Sequence, residues 1–278
     1  MNAILFWHPV SLLIHLVPHK KLFAVPIFEK PYPEVKKIFI PISVALMCVS
    51  FTIVPPAPTK STSQNVGFAV KSAITNSIIE EDVACDIYIA AGLEERGLSE
   101  TAFKQAWKGY QNLINRNLLG RTSYLTICDF SKSSRQKRLY IVDMSSKKLI
   151  KHTYVAHGRN TGNEYATSFS NKPESLQSSL GFYVTMQTYN GENGLSLRLK
   201  GVDKGFNDNA LVRSIVIHGA DYVSAGRAAK GITGRSYGCP AVPKNEVSQI
   251  VQIIKNGTCL FIYHPDKQYR NSSKVLNE

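Results

Sequence analysis

The sequence predicts a mainly β fold of the α+β type, and two features of the chain support this assignment. Short runs rich in β-branched and aromatic residues recur throughout residues 121–267 and are separated by turn residues. Helical periodicity is confined to residues 70–120 and to one later segment, residues 247–255. Many strands with only one late helix favour a sandwich or barrel-like β core.

The first 58 residues have the pattern of a targeting segment. Two lysines precede residues 38–54, which are apolar and uncharged and end at a pair of prolines. A basic segment followed by an apolar core is typical of a signal peptide or a short membrane anchor, although this run is at the lower length limit for crossing a bilayer. Because Val35 begins a stretch with an ordinary signal-peptide start, we hypothesise that translation begins there at a non-AUG codon. The alternative is that residues 1–34 are a genuine extension.

A linker rich in Pro, Ser and Thr, residues 59–69, precedes a predicted helical module at residues 70–120. Apolar residues recur at helical spacing up to Gly97, and Ser99 is a favourable N-cap for the following helix. That helix has an apolar stripe, which we predict to be core rather than a ligand platform. The stripe comprises Phe103, Ala106, Tyr110, Leu113 and Ile114.

Residues 121–267 are predicted to form the β domain, with residues 268–278 as a polar tail. The polar loop at residues 158–180 is too long to be only a connector, so it is functional or structured by its own contacts. Residues 145–148 are predicted to be a hairpin turn. The predicted strands are residues 124–130, 138–144, 149–156, 181–189, 195–199, 213–217 and 258–264.

One stretch, residues 215–243, holds residues suited to thiol chemistry. His218 ends a predicted strand, and Cys239 lies in a turn of Gly, Ser and Arg where packing gives no reason for a cysteine. A free thiol has a pKa of about 8.5 and is mostly protonated at neutral pH, so a neighbouring imidazole is needed to take its proton. Glycines in such a turn let backbone N–H groups approach an oxyanion. Taken singly, each residue is more often structural than catalytic.

These residues resemble the catalytic domain of bacterial L,D-transpeptidases of the YkuD type. Members of that family have a His followed, after a gap, by Ser/Thr-His-Gly-Cys, and here His218 precedes Ser236-Tyr237-Gly238-Cys239. Two positions depart from the pattern. Tyr237 replaces a second His, and Pro240 begins a segment where the family usually has Arg or Asn. Other similar segments, within about residues 99–267, are 129–131, 155–158, 168–173, 178–181, 205–210, 218–222 and 261–265.

The resemblance implies an L,D-transpeptidase-like β-sandwich closed by a loop that bears the nucleophile. It implies Cys239 as the nucleophile and His218 as its base. The Gly219 carbonyl, or another nearby one, is expected to hold the imidazole tautomer, and Asp221 is the second candidate for this role. No cofactor and no metal are implied.

The remaining predicted site residues belong to the turn around Cys239. By the same resemblance, the oxyanion is expected to bind the N–H of Cys239 and that of either Tyr237 or Gly238. Ser236 is predicted to position the turn. Arg235 is a candidate for binding a substrate carboxylate, because guanidinium presents a planar fork of donors; the alternative is a surface charge.

The implied reaction is acyl transfer between peptidoglycan stem peptides. The thiolate attacks the bond between an L-centre and D-Ala, and an amine of a neighbouring stem resolves the thioester to give a 3→3 cross-link. If water resolves it, the same residues make an L,D-carboxypeptidase. Two further hypotheses are a thiol peptidase acting on proteins and a non-catalytic wall-associated protein. The resemblance also implies that carbapenems acylate Cys239.

The charge and cysteine content limit the partners further. A net charge of +13 and a pI near 9.5 suit an anionic polymer such as a bacterial wall, or simply a soluble basic surface. No helix-turn-helix, zinc-finger or RNP pattern is present, so nucleic acid is not favoured. We expect an envelope location outside the cytoplasm, with membrane contact through the N-terminal segment only.

Five cysteines leave at least one unpaired within the chain. Whether Cys85 pairs with Cys128 is left open by the sequence.

The substitution at Tyr237 leads to a specific hypothesis. A phenol with a pKa of about 10 is neutral at pH 7 and is a poor base, so His218 alone can serve the thiol. The ring is expected to pack under the turn and hold its N–H groups in place.

Overall fold

The computed structural model describes residues 81–231 and 233–278. The predicted targeting segment (1–58), the linker (59–69) and the start of the helical module lie outside the described residues. Within 81–231 and 233–278, no helix has both the length and the apolar character needed to cross a membrane.

Two helices precede the sheet: α1 (residues 81–90) and α2 (Glu100–Asn115). The Ser99 hydroxyl accepts a hydrogen bond from Ala102 N at 3.2 Å, which satisfies one of the unpaired N–H groups of the first turn. The predicted stripe faces inward, since Phe103 and Leu113 are fully buried and join the main core. Helix α2 packs against the sheet and so belongs to the same core.

The sheet has eight strands in the order β3-β2-β1-β8-β4-β5-β6-β7. Pairs β1–β8 and β6–β7 are parallel, and the other neighbours are antiparallel. The strands are β1 (Tyr124–Asp129), β2 (Leu139–Asp143), β3 (Lys148–Thr153), β4 (Gly181–Gly191), β5 (Gly194–Gly201), β6 (Val216–Ala220), β7 (Ala241–Pro243) and β8 (Cys259–Tyr263).

The two ends of this sheet are joined. Ala156, just beyond β3, forms an antiparallel bridge with Ala241 of β7, with N···O distances of 2.8 and 3.3 Å. The result is a nearly closed, mainly β structure with helices around it, which confirms the predicted fold class. Closure also places the segment after β3 directly beside the strand that follows Cys239.

The central strand β8 organises the core. It is buried along its whole length, and it lies between β1 and β4. Phe261 of β8 stacks on Phe182 of β4, with ring centroids 4.1 Å apart. Helix α4 (Val247–Ile254) covers the sheet with Ile250, Val251 and Ile254, so the predicted late helix is present.

The C-terminal segment differs from the prediction. Residues 268–278, expected to be a polar tail, belong to two short helices, α5 (Lys267–Ser272) and α6 (Lys274–Asn277). Their apolar residues Tyr269, Val275 and Leu276 are buried in the main core. The buried Asp203 carboxylate accepts hydrogen bonds from Tyr269 Oη at 2.9 Å and Ser273 Oγ at 2.6 Å. This segment is therefore part of the domain.

Candidate active site

His218 lies in the middle of β6, in the last part of the sheet. It pairs with Ser196 of β5 on one side and with Ala241 of β7 on the other. Because Ala241 follows Cys239 by two residues, this register places the predicted base on the strand next to β7, and β7 begins just after the predicted nucleophile. They are separated in sequence by the whole β6–β7 connection, which includes α3 (Ala225–Ala229).

The imidazole of His218 is buried and has a defined tautomer. Its Nδ1 lies 3.2 Å from the Gly219 carbonyl oxygen, and because a carbonyl can only accept, Nδ1 carries the proton and Nε2 the lone pair. Burial lowers the pKa of His218, while the bond to the Gly219 carbonyl acts in the opposite direction. The neutral imidazole therefore predominates at neutral pH and can accept a proton at Nε2.

The Cys239 thiol is partly buried and lies close to the backbone of the segment leading into β6. Its Sγ is 3.7 Å from the Ser214 carbonyl oxygen. Burial raises the pKa of Cys239, opposed by the Val216 backbone N–H and the charge of Arg213. Across the described chain, no hydrogen bond joins Sγ to the His218 ring. Both pKa shifts favour a neutral thiol and a neutral imidazole at neutral pH.

Residues 236–239, which we name the cysteine turn, are held by the buried Ser236. Its Oγ accepts from Gly238 N at 3.1 Å and donates to the Cys239 carbonyl oxygen at 2.6 Å. Gly238 has φ of +121°, a conformation that favours glycine. Within the part of the chain that the structure describes, the N–H groups of Tyr237 and Cys239 have no hydrogen-bond partner. These two donors are available to an oxyanion, whereas that of Gly238 is occupied.

The long loop between β3 and β4 forms one wall of the turn. Gly158 N donates to Ser178 Oγ at 3.0 Å, and the same hydroxyl donates to the Gly238 carbonyl oxygen at 3.0 Å. A Cβ on Gly158 would lie 2.5 Å from the Leu176 carbonyl oxygen and 2.9 Å from Gly238 Cα. The loop is thus structured by its own contacts and packs tightly on the cysteine turn.

Sequence reasoning missed Arg213, which ties this loop to the cysteine turn. The half-buried guanidinium donates to four oxygen atoms of the loop. It also lies beside Gly238: a Cβ added to that glycine would be 3.3 Å from Arg213 Nη2. Its acceptors are scattered along a loop far from it in sequence, so no local pattern indicates the role. The four acceptors are Ser170 O, Ser175 Oγ, Gln177 O and Ser179 Oγ.

Two predicted site residues do not have the roles that the sequence suggested for them. Asp221 is exposed and pairs with Lys244 Nζ at 2.7 Å, so Gly219, rather than Asp221, contacts the imidazole. Tyr237 is 70% exposed. Its ring does not pack under the turn; it faces the guanidinium of Arg159, whose Cζ is 4.9 Å from the ring centroid. The hypothesis of a ring buried under the turn is therefore wrong.

Arg235 is engaged with backbone and amide oxygens. Its Nη1 donates to Arg159 O at 2.9 Å, Gly162 O at 3.1 Å and Asn163 Oδ1 at 2.8 Å. The side chain is exposed and braces the start of the long loop. A substrate carboxylate would have to compete with these three acceptors.

The other histidine near the turn, His157, is buried in a structural network. Its Nδ1 accepts from Arg138 Nη2 at 2.8 Å, and its Nε2 is 3.2 Å from the Gly162 carbonyl oxygen. Burial, assisted by the Arg138 charge, lowers the pKa of His157 to about 4. Both ring nitrogens are used, so this imidazole is not available as a base.

A comparison with protein families gives a clear assignment. The L,D-transpeptidase catalytic domain matches residues 94–263, which is more than half of the chain and includes every predicted site residue. The chain belongs to this family. L,D-transpeptidases are acyltransferases that act on peptidoglycan in the cell envelope. No curated protein matches the sequence.

Solved structures similar to this chain include several L,D-transpeptidases. An L,D-transpeptidase from Mycobacterium smegmatis is 11% identical, with a TM-score of 0.32, over 51% of this chain and 59% of that one. An L,D-transpeptidase in complex with imipenem is 10% identical, with a TM-score of 0.32 and the same coverage of both chains. The helical cell shape determining protein Pgp2 from Campylobacter jejuni is 13% identical, with a TM-score of 0.35, over 62% of this chain and 60% of that one. The chain thus spans about three fifths of the length of these structures.

Within residues 81–231 and 233–278, no group of three or more His, Cys, Asp and Glu side chains is arranged to hold a metal ion. Cys85 and Cys128 are both free thiols, so the disulfide that the sequence left open is not formed.

Proposed function

We propose that this protein is a peptidoglycan L,D-transpeptidase that uses Cys239 as its nucleophile and His218 as its base to form 3→3 cross-links. The observation that supports it most directly is the tautomer of His218. Its Nδ1 is held by the Gly219 carbonyl, which leaves a neutral Nε2 on the strand next to Cys239. An unprotonated imidazole nitrogen is what a thiol needs for activation by a general base.

In the first half-reaction the enzyme is acylated. Nε2 of His218 accepts the thiol proton as Sγ bonds to the carbonyl carbon between the L-centre and the terminal D-Ala of a stem peptide. The carbonyl oxygen becomes an oxyanion that accepts hydrogen bonds from the N–H groups of Tyr237 and Cys239. When the C–N bond breaks, the proton on Nε2 passes to the departing amine. D-Ala leaves, and a thioester remains.

In the second half-reaction an amine of a neighbouring stem attacks the thioester carbon. This amine gives its proton to Nε2 of His218, and the C–S bond breaks. The thiolate then recovers the proton from the imidazolium. The product is a new amide bond between two stems, and the enzyme returns to its neutral resting pair. Water in place of the amine gives a carboxylic acid instead, which is the L,D-carboxypeptidase outcome.

Incubation with purified disaccharide-tetrapeptides, followed by mass spectrometry, tests the proposal. We expect dimers that have lost one D-Ala from the wild-type protein and none from Cys239→Ala or His218→Ala. Cys85→Ala is the matched control, since it removes a free thiol from α1. Only tripeptide monomers from the wild type would identify a carboxypeptidase, and turnover by Cys239→Ala would refute the assignment of the nucleophile.

We also propose that carbapenems acylate Cys239. Two of the similar structures hold such inhibitors: one is an L,D-transpeptidase in complex with imipenem, and the other is a carbamoyl enzyme formed with avibactam. In this chain the Cys239 thiol would open the β-lactam ring of a carbapenem. Intact-mass spectrometry of wild type with imipenem is expected to show addition of one whole inhibitor molecule. The adduct is expected to be absent from Cys239→Ala. An adduct on that variant would show that another residue reacts with imipenem.

Location follows from the substrate. We propose that the catalytic domain acts outside the cytoplasm, where peptidoglycan is assembled, and that any membrane contact is through the N-terminal segment. A periplasm-dependent reporter fused after Glu278 is expected to be active. A silent reporter would contradict this location.

A further inference from the structure

Arg159 is an exposed guanidinium in a fixed position beside the cysteine turn. Its backbone is bonded to the turn, since Arg159 N donates to Ser236 O at 2.7 Å. Its side chain lies on the Tyr237 ring, with Cζ 4.9 Å from the centroid. Among the described residues, no acceptor or carboxylate contacts its N–H groups. The five donors of this guanidinium therefore face solvent beside the cysteine turn.

The surroundings of Arg159 form a cleft that favours an anion. A cleft of about 570 Å³ is lined by Arg159, Arg235 and polar residues of the long loop. The one carboxylate in this lining, that of Glu164, accepts a hydrogen bond from Ser133 Oγ, and the two guanidiniums leave the lining with a net positive charge. Nη1 of Arg235 is also occupied. Of the two guanidiniums in this lining, Arg159 is the one that makes no side-chain hydrogen bond among the described residues.

We infer that Arg159, held on the Tyr237 ring, binds a free carboxylate of the stem peptide and so determines which stems are accepted. The inference rests on the proposed function and names a specificity residue for it. It also transfers to Arg159 the role that the sequence suggested for Arg235. Tyr237 then has a chemical reason to be both aromatic and exposed.

Stacking on the ring makes the guanidinium an effective carboxylate receptor. A planar guanidinium can bind both oxygens of a carboxylate with two parallel hydrogen bonds. When its face lies on an aromatic ring, its edge still presents these donors, and less side-chain entropy is lost when the ligand binds. Lysine could supply the charge in this position, but neither the stacking nor the forked geometry.

A tetrapeptide stem offers carboxylates at different distances from the scissile bond. The terminal carboxylate belongs to the leaving D-Ala, and others belong to residues on the donor side of the bond. In each case the group that Arg159 would bind is a carboxylate. Stems in which a single carboxylate is converted to a carboxamide distinguish these sources, because only one amide will weaken binding.

Binding is measured with full-length protein bearing Cys239→Ala, which cannot form the thioester. We expect the free acid to bind about 10–100-fold more tightly than one of the single amides, as hydrogen bonds between charged groups contribute in proteins. Adding Arg159→Gln is expected to bring the ratio of the affinity for the free acid to that for the amide close to one. Arg159→Lys is expected to give an intermediate ratio. Tyr237→Phe is expected to keep the preference, and Tyr237→Leu to reduce it.

Arg270→Gln is the matched control, because it removes an exposed guanidinium from α5, which follows the central strand β8. It should leave the ratio of the Cys239→Ala protein unchanged. A ratio that is the same with and without Arg159 would overturn the inference. If binding shows the preference but wild type does not turn over stems, the proposed function fails and the carboxylate site stands. Absence of binding to every stem would overturn both.

Discussion

At the scale of single residues, the main feature is that both reactive groups are neutral at rest. Burial lowers the pKa of His218 and raises that of Cys239. Both shifts oppose a preformed thiolate–imidazolium pair. The thiol must instead lose its proton to His218 as the substrate carbonyl is attacked, so the imidazole should control how the rate depends on pH.

This gives a prediction for the pH profile of acylation by imipenem. The active imidazole is unprotonated, so activity is lost as pH falls through the lowered pKa of His218, below its ordinary value of 6.5. Wild type should therefore be at its plateau at pH 7. His218→Ala should be much slower there and should gain rate up to and beyond pH 9. In that variant only thiolate formed by direct ionisation can react, and burial raises the pKa of Cys239 above the value of about 8.5 for a free thiol. The measurement is the acylation rate between about pH 5 and pH 10, a range that brackets both groups.

The same profile provides the contradicting result. If both proteins showed the same acid limb, His218 would not be the group whose protonation stops the reaction. Circular dichroism of His218→Ala serves as the control for folding.

Ser236 makes a second prediction possible at this scale. Its hydroxyl bonds Gly238 N and Cys239 O, so Ser236→Ala leaves a buried N–H without a partner and loosens the N–H groups of the turn. We expect a loss of stability of about 1–3 kcal/mol and a fall in acylation rate of roughly 10–100-fold. Thermal unfolding and imipenem kinetics measure the two effects. Ser146→Ala, in the β2–β3 hairpin turn, is the control; an unaffected rate in Ser236→Ala would show that the turn holds its shape unaided.

At the scale of elements, the site depends on the contact between the long loop and the cysteine turn. Arg213, Ser178 and Gly158 maintain this contact through hydrogen bonds and close approach. Arg213 alone makes four hydrogen bonds to the loop, so the loop cannot shift without losing several bonds together. Displacing the loop should therefore affect both stability and acylation.

Gly158→Ala tests this coupling. The added methyl would meet backbone atoms at 2.5 to 3.0 Å, which cannot move aside as a side chain would. We expect destabilisation of about 1–3 kcal/mol together with slower acylation. Gly226→Ala in α3 is the matched control, since its Cβ would meet nothing within 4 Å. Equal behaviour of the two variants in unfolding and acylation assays would contradict the tight contact.

Elements differ in how well the sequence predicted them. The strands with β-branched runs, such as β1 and β8, were predicted within one residue or so of their bounds, because the pattern of burial is local. Strand β7 was missed because it has only three residues and ends in Pro243, and it exists through pairing with β6 and Ala156. Helices α5 and α6 were missed because their exposed residues are polar and their burial depends on Asp203, far away in sequence.

The same reasoning applies to the site. The motif around His218 and Cys239 is local, and the Gly219 contact follows from adjacent residues. Arg213 and the Arg159–Tyr237 stack join segments distant in sequence, and no spacing rule connects them. The error at Tyr237 came from assuming that an aromatic ring beside a tight turn is buried.

At the scale of the whole molecule, the C-terminal helices complete the core. A chain ending at Pro265 would lose the buried side chains of Tyr269, Val275 and Leu276 and both hydroxyl partners of the buried Asp203. Burial alone suggests a loss on the order of 5 kcal/mol, comparable with the total stability of many domains. Urea unfolding is expected to show a largely unfolded truncated protein. A truncation as stable as the full chain would contradict this role, and Lys267→Gln, an exposed change in α5, is the control.

The position of β8 has a consequence for the order of events during synthesis. The last strand to leave the ribosome is the one that separates β1 from β4. A nascent chain that ends before Cys259 can pair β1 with β2 and β4 with β5, but these two hairpin groups have no strand between them. The sheet is therefore completed only after translation has passed residue 263. Until then the chain has no closed sheet, and β1 and β4 each keep one edge without a partner strand.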